Sequence, residues 1–156
     1  IAIDQNRVAA DARKVQLVSG GDAGAEVYGD ESLLVVALHN LISNAIQYSG
    51  KGSRVGVGVS NNDGIVEIAV TDRGIGIPES EQQRVFERFY RADQARSRRT
   101  GGTGLGLSIV RSIARAHGGD VTIGDSPLGG ASFVLGVPLA RLDARLAHPA
   151  IEETDP

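Results

Sequence analysis

The chain has 156 residues, enough for one domain that buries a core without a metal or disulfide staple. With 41% hydrophobic and 22% charged residues it has ordinary globular composition, which excludes a long disordered tract, a coiled coil and a collagen-like repeat. It contains no cysteine, which removes disulfides, thiolate metal sites and cysteine nucleophiles, and its net charge is −3.

That charge is unevenly spread. Arginines 84, 88, 91, 96, 98 and 99 face only Glu87 and Asp93 in the same stretch, a local excess of four positive charges on a body that carries −7. A small basic segment on an acidic body suits a small anionic ligand better than a nucleic-acid groove. Aromatics at 4% also argue against base stacking. No apolar run approaches a membrane span and no signal-peptide pattern is visible. The chain opens on Ile1 and has no methionine, so it is expected to be a piece of a longer protein.

In chain order, 1–14 is predicted as a short helix and 15–18 as a strand, with 27–28 a possible second short strand. Asp30 suits an N-cap, with Glu31 in the first turn, and a helix is predicted from there to Tyr48. Leu34, Leu38, Leu41 and Ala45 recur on one face of it, and Gly50 and Gly52 are expected to end it. Strands follow at 54–60 and 65–72, where Val55, Val57 and Val59, and then Val66, Ile68 and Val70, alternate. Asp63-Gly64 between them predicts a hairpin. Residues 73–106 are rich in glycine and arginine and show only a helical turn at 79–84. Such a long irregular segment is usually functional. A helix is predicted at 107–117, stopped by Gly118-Gly119, then strands at 120–124 and 132–137 joined by a turn at 126–130. This order predicts an α+β or mixed α/β sandwich, one sheet covered by helices. Residues 1–140 are expected to form the domain and 141–156 a flexible tail.

Four local features bear on chemistry. Asn40, Asn44 and Gln47 form a polar stripe beside the leucines. Asparagine is a poor interior helix residue, so the pair either bonds a neighbouring loop or offers oxygen ligands to a hard cation such as Mg²⁺. In DRGIGIP (72–78) a strand ends on Asp72 and Gly74 and Gly76 free the backbone; this is either a plain turn or a carboxylate placed to accept from an amine such as that of adenine. In TGGTGLGLSIV (100–110) glycines lead into a helix whose amino end favours an anion; the basic neighbours favour phosphate, and neither the Walker nor the dinucleotide pattern is present. In VFERFYRAD (85–93) Val85, Phe86 and Phe89 can seat the loop on the core, while Arg88 and Arg91 are either solvated or a phosphate clamp.

In this order and spacing, NLISNAIQYS (40–49), DRGIGIP, FERFYR (86–91) and GGTGLGLSIV (101–110) resemble the N, G1, F and G2 boxes of sensor histidine kinases. The stretch 30–138 looks like their ATP-binding catalytic domain, within the superfamily shared with gyrase, Hsp90 and MutL. It is most similar to phosphate-responsive kinases of actinobacteria. The resemblance implies a two-layer α/β sandwich of the Bergerat type, with a mixed, mainly antiparallel sheet covered on one face by helices. ATP would lie between helices under a mobile lid at 96–104.

It further implies that Asn44 coordinates Mg²⁺, assisted by Asn40, and that Asp72 receives the adenine amine. Gly74, Gly76 and Ile77 would shape the adenine pocket and Tyr48 would pack near the base or ribose. Gly102, Thr103, Gly104, Leu105 and Gly106 would meet the phosphates, and Arg91 or a lid arginine the γ-phosphate. Family members often carry a base where this chain has Gln47, so Arg91 or Arg98 would supply that charge. Hydrolysing relatives place a glutamate at the position of Asn40 as general base; a carboxamide cannot take a proton, which fits phosphoryl transfer to a protein nucleophile.

The acceptor histidine is expected elsewhere, on a dimerisation domain. His39, His117 and His148 lack the acceptor pattern and read as structural or solvated. The implied partners are that dimerisation domain and a response regulator, with no nucleic acid. The fragment would be a monomer, and its parent a homodimeric, membrane-anchored sensor with this domain in the cytoplasm. The competing readings are a Hsp90- or gyrase-like ATPase and a nucleotide-binding interaction module of the anti-sigma-factor type.

Overall fold

A computed structural model of the chain describes residues 1–21, 25–27, 29–74, 76–77, 79–82, 84–87, 106–125 and 129–138. The elements are α1 (Ala2–Gln5), α2 (Arg7–Ala12), β1 (Gln16–Gly21), α3 (Glu31–Tyr48), β2 (Arg54–Asn62), β3 (Ile65–Thr71), a 3₁₀ turn (Glu79–Glu81), α4 (Gly106–Ala116), β4 (Asp120–Asp125) and β5 (Ala131–Pro138). The sheet has the order β1-β2-β3-β5-β4, with β1 parallel to β2 and every other pairing antiparallel. The mixed, mainly antiparallel sheet expected from the sequence is the observed one.

The period-2 pattern puts one face of the sheet under the helices. Val55, Val57, Val66 and Val70 are buried, and β5 alternates buried and half-buried along its whole length. Against them α3 packs Ala37, Leu41, Ile42, Ala45 and Ile46, and α4 packs Val110, Ile113 and Ala114. The α3 stripe is thus wider than the four residues expected; Leu34 and Leu38 lie at its margin, partly buried. The hairpin is also as expected. Asn62 pairs with Ile65, and Asp63 (φ 51°) and Gly64 (φ 82°) both take the left-handed conformation of a type I′ turn.

Four expectations need correction. Residues 1–14 form two short helices, broken at Asn6, which has φ −104° and ψ 3°. Its buried side chain donates back to the Ala2 carbonyl at 2.8 Å and reaches His39 Nδ1 at 3.2 Å, so the polar anchor wins over helix continuation. The first strand is longer than predicted, because its parallel pairing with β2 runs on to Gly21. Val27 is irregular rather than a strand, and Tyr28 lies outside the described residues.

The end of α3 is the fourth. Ser49, extended at φ −84° and ψ 148°, stops the helix, not a left-handed glycine. The last carbonyls are met from elsewhere: the Arg13 guanidinium donates to the oxygens of Ile46 and Gln47, each at 3.1 Å. A cation at that pole also complements the helix dipole. At the other pole Asp30 caps as predicted, accepting from the Leu33 N–H at 3.1 Å. The expected lid at 96–104 and the tail at 141–156 lie outside the described residues.

Candidate functional site

The site is assembled where β3 ends. Thr71 closes the strand, and the next residue, Asp72, is only 4% exposed. Its N–H donates to the Ala131 carbonyl at 2.9 Å, continuing the β3–β5 pairing by one step. Its carboxylate turns back on the same corner: Oδ1 accepts from the Gly74 N–H at 2.8 Å and the Ala131 N–H at 3.2 Å. Among the described residues both of these bonds end on Oδ1, so Oδ2 keeps its accepting capacity. Burial pushes the carboxyl above the ordinary aspartate value, and the Gly74 and Ala131 N–H groups oppose that shift without cancelling it.

Three glycines close around this carboxylate. A side chain on Gly74 would collide with the Tyr48 carbonyl oxygen, so the end of α3 and the turn after β3 are in direct backbone contact. A side chain on Gly130, at φ +83°, would run into the Asp72 carbonyl and carboxylate. A methyl group on Gly76, at φ +74°, would stand 3.3 Å from the Gly130 oxygen. Ile77 packs against the core beside them, and its carbonyl accepts from Gln82 Nε2 at 3.1 Å. Tyr48, Asp72, Gly74, Gly76 and Ile77, all expected from the sequence, therefore meet at one corner. Gly130 belongs to it as well, read from the sequence only as the end of a turn, and so does Ala131, which fell between the predicted turn and strand and opens β5. Their signal was the Gly129-Gly130 doublet before a strand, but nothing local says that its neighbour is 58 positions earlier.

A second corner forms along α3. Asn40, Asn44 and Tyr48 follow at four-residue steps, which places them on one helix face across about 12 Å. All three are half-buried. Asn40 donates from Nδ2 to the Val36 carbonyl at 2.9 Å, and its Oδ1 stands 3.1 Å from where a Gly106 Cβ would be. Gly106 begins α4, so the amino end of that helix faces the middle of α3. The two corners differ in chemistry: a carboxylate in a glycine-lined recess at one, and at the other a helix amino terminus beside the Asn40 carboxamide, with Asn44 one turn further along α3.

Val85 and Phe86 are buried and do seat their segment on the core, as expected. Arg91, Gly102, Thr103, Gly104 and Leu105, together with Arg88, Phe89 and Arg98, lie outside the described residues. Two histidines are structural. His39 holds Asn6, and His117 accepts the Asp30 N–H on Nε2 at 3.0 Å while Nδ1 sits 2.8 Å from the Ile113 carbonyl. His148 is outside the described residues.

Residues 29–141 match the family described as histidine kinase-, DNA gyrase B-, and HSP90-like ATPase. The sensor-like histidine kinase SenX3 of Mycolicibacterium smegmatis is 49% identical over 137 residues, covering 88% of this chain and 36% of the relative. The chain thus spans about a third of the length of that curated relative. Among solved structures, the mycobacterial sensor histidine kinase MprB is 34% identical with a TM-score of 0.76, covering 88% of this chain and 93% of that one. Full-length ShkA in complex with AMPPNP is 28% identical with a TM-score of 0.76, covering 89% of this chain and 28% of that one.

Proposed function

The chain belongs to the histidine kinase-, DNA gyrase B- and HSP90-like ATPase family, as an ATP-binding domain of the sensor histidine kinase type, and we propose that it binds ATP and directs its γ-phosphoryl group to a histidine on a dimerisation domain of its parent protein. The observation that carries this is Asp72. A buried carboxylate with one oxygen held by two backbone N–H groups and the other able to accept fits the exocyclic amine of adenine. The glycine recess around it admits a flat ring where any side chain would obstruct.

From that corner the rest of the nucleotide would run along the Asn44 face of α3, with Tyr48 beside the base or ribose. The phosphates would then reach the amino end of α4 at Gly106, where the first-turn N–H groups and the helix dipole favour anions. Gly102, Thr103, Gly104, Leu105 and Arg91 would add phosphate contacts.

Asn44, with Asn40 beside it, would hold Mg²⁺. Their amide oxygens are hard donors that suit this cation alongside phosphate oxygens, and the bound ion neutralises phosphate charge. Asn40 bears on the outcome of the reaction. Its carboxamide already donates to the Val36 carbonyl and cannot take a proton, so water at this site lacks a base there. Positioning and charge neutralisation suffice for transfer to a protein nucleophile. The parent would be a homodimeric membrane-anchored sensor, this domain lying in the cytoplasm, that passes the phosphoryl group to a response regulator. The sensor kinases among its relatives support that reading.

Calorimetric titration of the 156-residue chain with ADP and a non-hydrolysable ATP analogue, with and without Mg²⁺, tests the proposal. Adenine-specific binding that Asp72→Asn abolishes is expected. Binding indifferent to that substitution, or none by the wild-type chain, would overturn it.

A further inference from the structure

Arg111 lies on α4, five residues after the helix begins, and its guanidinium engages two other elements at once. Its Cζ stands 4.9 Å from the ring centroid of Phe86. Its Nε donates to Asp120 Oδ1, at the start of β4, at 3.2 Å. The Phe86 ring in turn meets Phe133 of β5 edge-on, with centroids 6.1 Å apart and planes at 87°. Arg115, one turn later on α4, reaches the other Asp120 oxygen at 3.4 Å. The Asp120 carboxyl is raised by burial, but the Val121 N–H and both arginines outweigh that and hold it below the ordinary value.

The arrangement joins segments that lie 25 positions apart in the sequence. Phe86 follows the Glu79–Glu81 turn, while Arg111 belongs to α4, which begins at Gly106. The side chain of Arg111 is 26% exposed, so its stack on Phe86 and its ion pair with Asp120 are sheltered on the protein side. A guanidinium can do both at once because it is planar: its face covers the ring while its edge donates in plane. An ammonium can make the ion pair but has no plane to lay on the ring. The Phe86 ring is itself fixed by a core residue, so Arg111 references α4 to the core of the sheet at two points.

We propose that Arg111 is a positioning residue for the phosphate end of the site, setting where the amino terminus of α4 stands relative to Asn40 and Asn44 without touching nucleotide itself. This rests on the nucleotide reading given above. A small roll or slide of α4 moves its amino-terminal N–H groups off the phosphates, whereas the recess around Asp72 is built from β3, β5 and the end of α3 and stays in place. Loss of Arg111 therefore lowers affinity for the phosphate part of the ligand selectively.

The test compares adenosine with ADP and a non-hydrolysable ATP analogue on the wild-type chain, Arg111→Ala, Arg111→Lys and Phe86→Leu, by calorimetry and by chemical-shift titration for the weak ligand. Arg111→Ala is expected to weaken the ATP analogue about tenfold and leave adenosine within about twofold, while Arg111→Lys falls between wild type and alanine. Phe86→Leu, which removes the stacked ring, is expected to shift the same ratio in the same direction. Melting temperatures identify any variant that fails to fold, in which case the lysine variant decides. Adenosine and ATP analogue weakening in parallel, or neither changing, overturns the proposal. A wild-type chain that binds adenosine and ATP analogue alike sinks it too; one that binds neither overturns the nucleotide reading on which it rests.

Discussion

Asp72 and Ala131 are joined twice, the Asp72 N–H donating to the Ala131 carbonyl at 2.9 Å and the Ala131 N–H to the Asp72 carboxylate at 3.2 Å. The pair locks the end of β3 to the start of β5 and fixes the carboxylate in a recess where water is scarce. The cost of that placement is visible in its raised pKa, caused by burial.

A stability gain from a substitution that destroys binding follows. Asp72→Asn keeps an oxygen for the Gly74 and Ala131 N–H groups and removes the buried charge. With its folded pKa raised, the aspartate contributes most below its unfolded value of about 3.9, and that contribution is lost as pH rises through the folded pKa. The ligand-free variant should therefore match the wild type in acid and be more stable at neutral pH. The gain reads as a melting temperature above that of the wild type at neutral pH that shrinks as the pH is lowered. Calorimetric melting across this pH range measures it. Asp120 has the opposite sign: its lowered pKa gives stability that is present above the unfolded value and lost as pH falls through the folded one. Asp120→Asn should lose stability at neutral pH and none in acid.

Glycine substitutions should divide sharply by location. Gly74→Ala and Gly130→Ala drive a methyl group into backbone atoms of Tyr48 and Asp72, which cannot rotate away, and Gly130 also has φ +83°. Losses of about 3 kcal/mol or more are expected. Gly56 and Gly58 lie on the face of β2 opposite its buried valines, and among the described residues no atom comes within 4 Å of where an alanine methyl group would stand. There alanine restricts the unfolded chain at no steric cost and should stabilise by about 0.5 kcal/mol. Denaturant unfolding of the four variants checks both halves.

These glycines also mark how far sequence reasoning reached. The hairpin at 61–64 was legible because Asp-Gly supplies two left-handed residues at adjacent positions. The helix to Tyr48 was legible because its cap and its apolar period are both local. The Asp72 corner was half legible: the strand end and its following glycines are contiguous, but Gly130 and Ala131 come from the far side of the chain. Asn6 was missed for the same reason, since its partner His39 is 33 residues away and only that contact explains why the helix breaks there. Arg111 carries no local signal, because what surrounds it is Phe86, 25 positions earlier, and Asp120, 9 later.

His117 ties the carboxyl end of α4 to the amino end of α3, accepting the Asp30 N–H, and Gly29 leaves no room beside its ring for a side chain. His117→Ala removes the acceptor for Asp30 and the bond to the Ile113 carbonyl. A loss of about 1–2 kcal/mol is expected, with faster amide exchange at Asp30. Hydrogen-exchange rates at Asp30 and at the core residue Leu41 provide the check. Exchange faster by the same free energy at both residues would mean global destabilisation instead of a loosened junction.

Asn44 gives the cleanest separation of binding from folding. It is half-buried in the interior of α3, where asparagine is a poorer helix former than alanine by about 0.6 kcal/mol. Asn44→Ala should therefore leave the melting temperature unchanged or raise it slightly. If its amide oxygen holds Mg²⁺ against the phosphates, the same substitution removes the Mg²⁺-dependent part of ATP-analogue affinity. It should leave adenosine binding at the Asp72 corner untouched, because that corner owes nothing to residue 44. Titration of variant and wild type with the analogue, with Mg²⁺ and with EDTA, reads out the difference. Equal Mg²⁺ dependence in the two proteins would remove Asn44 from the metal site while leaving the adenine recess intact.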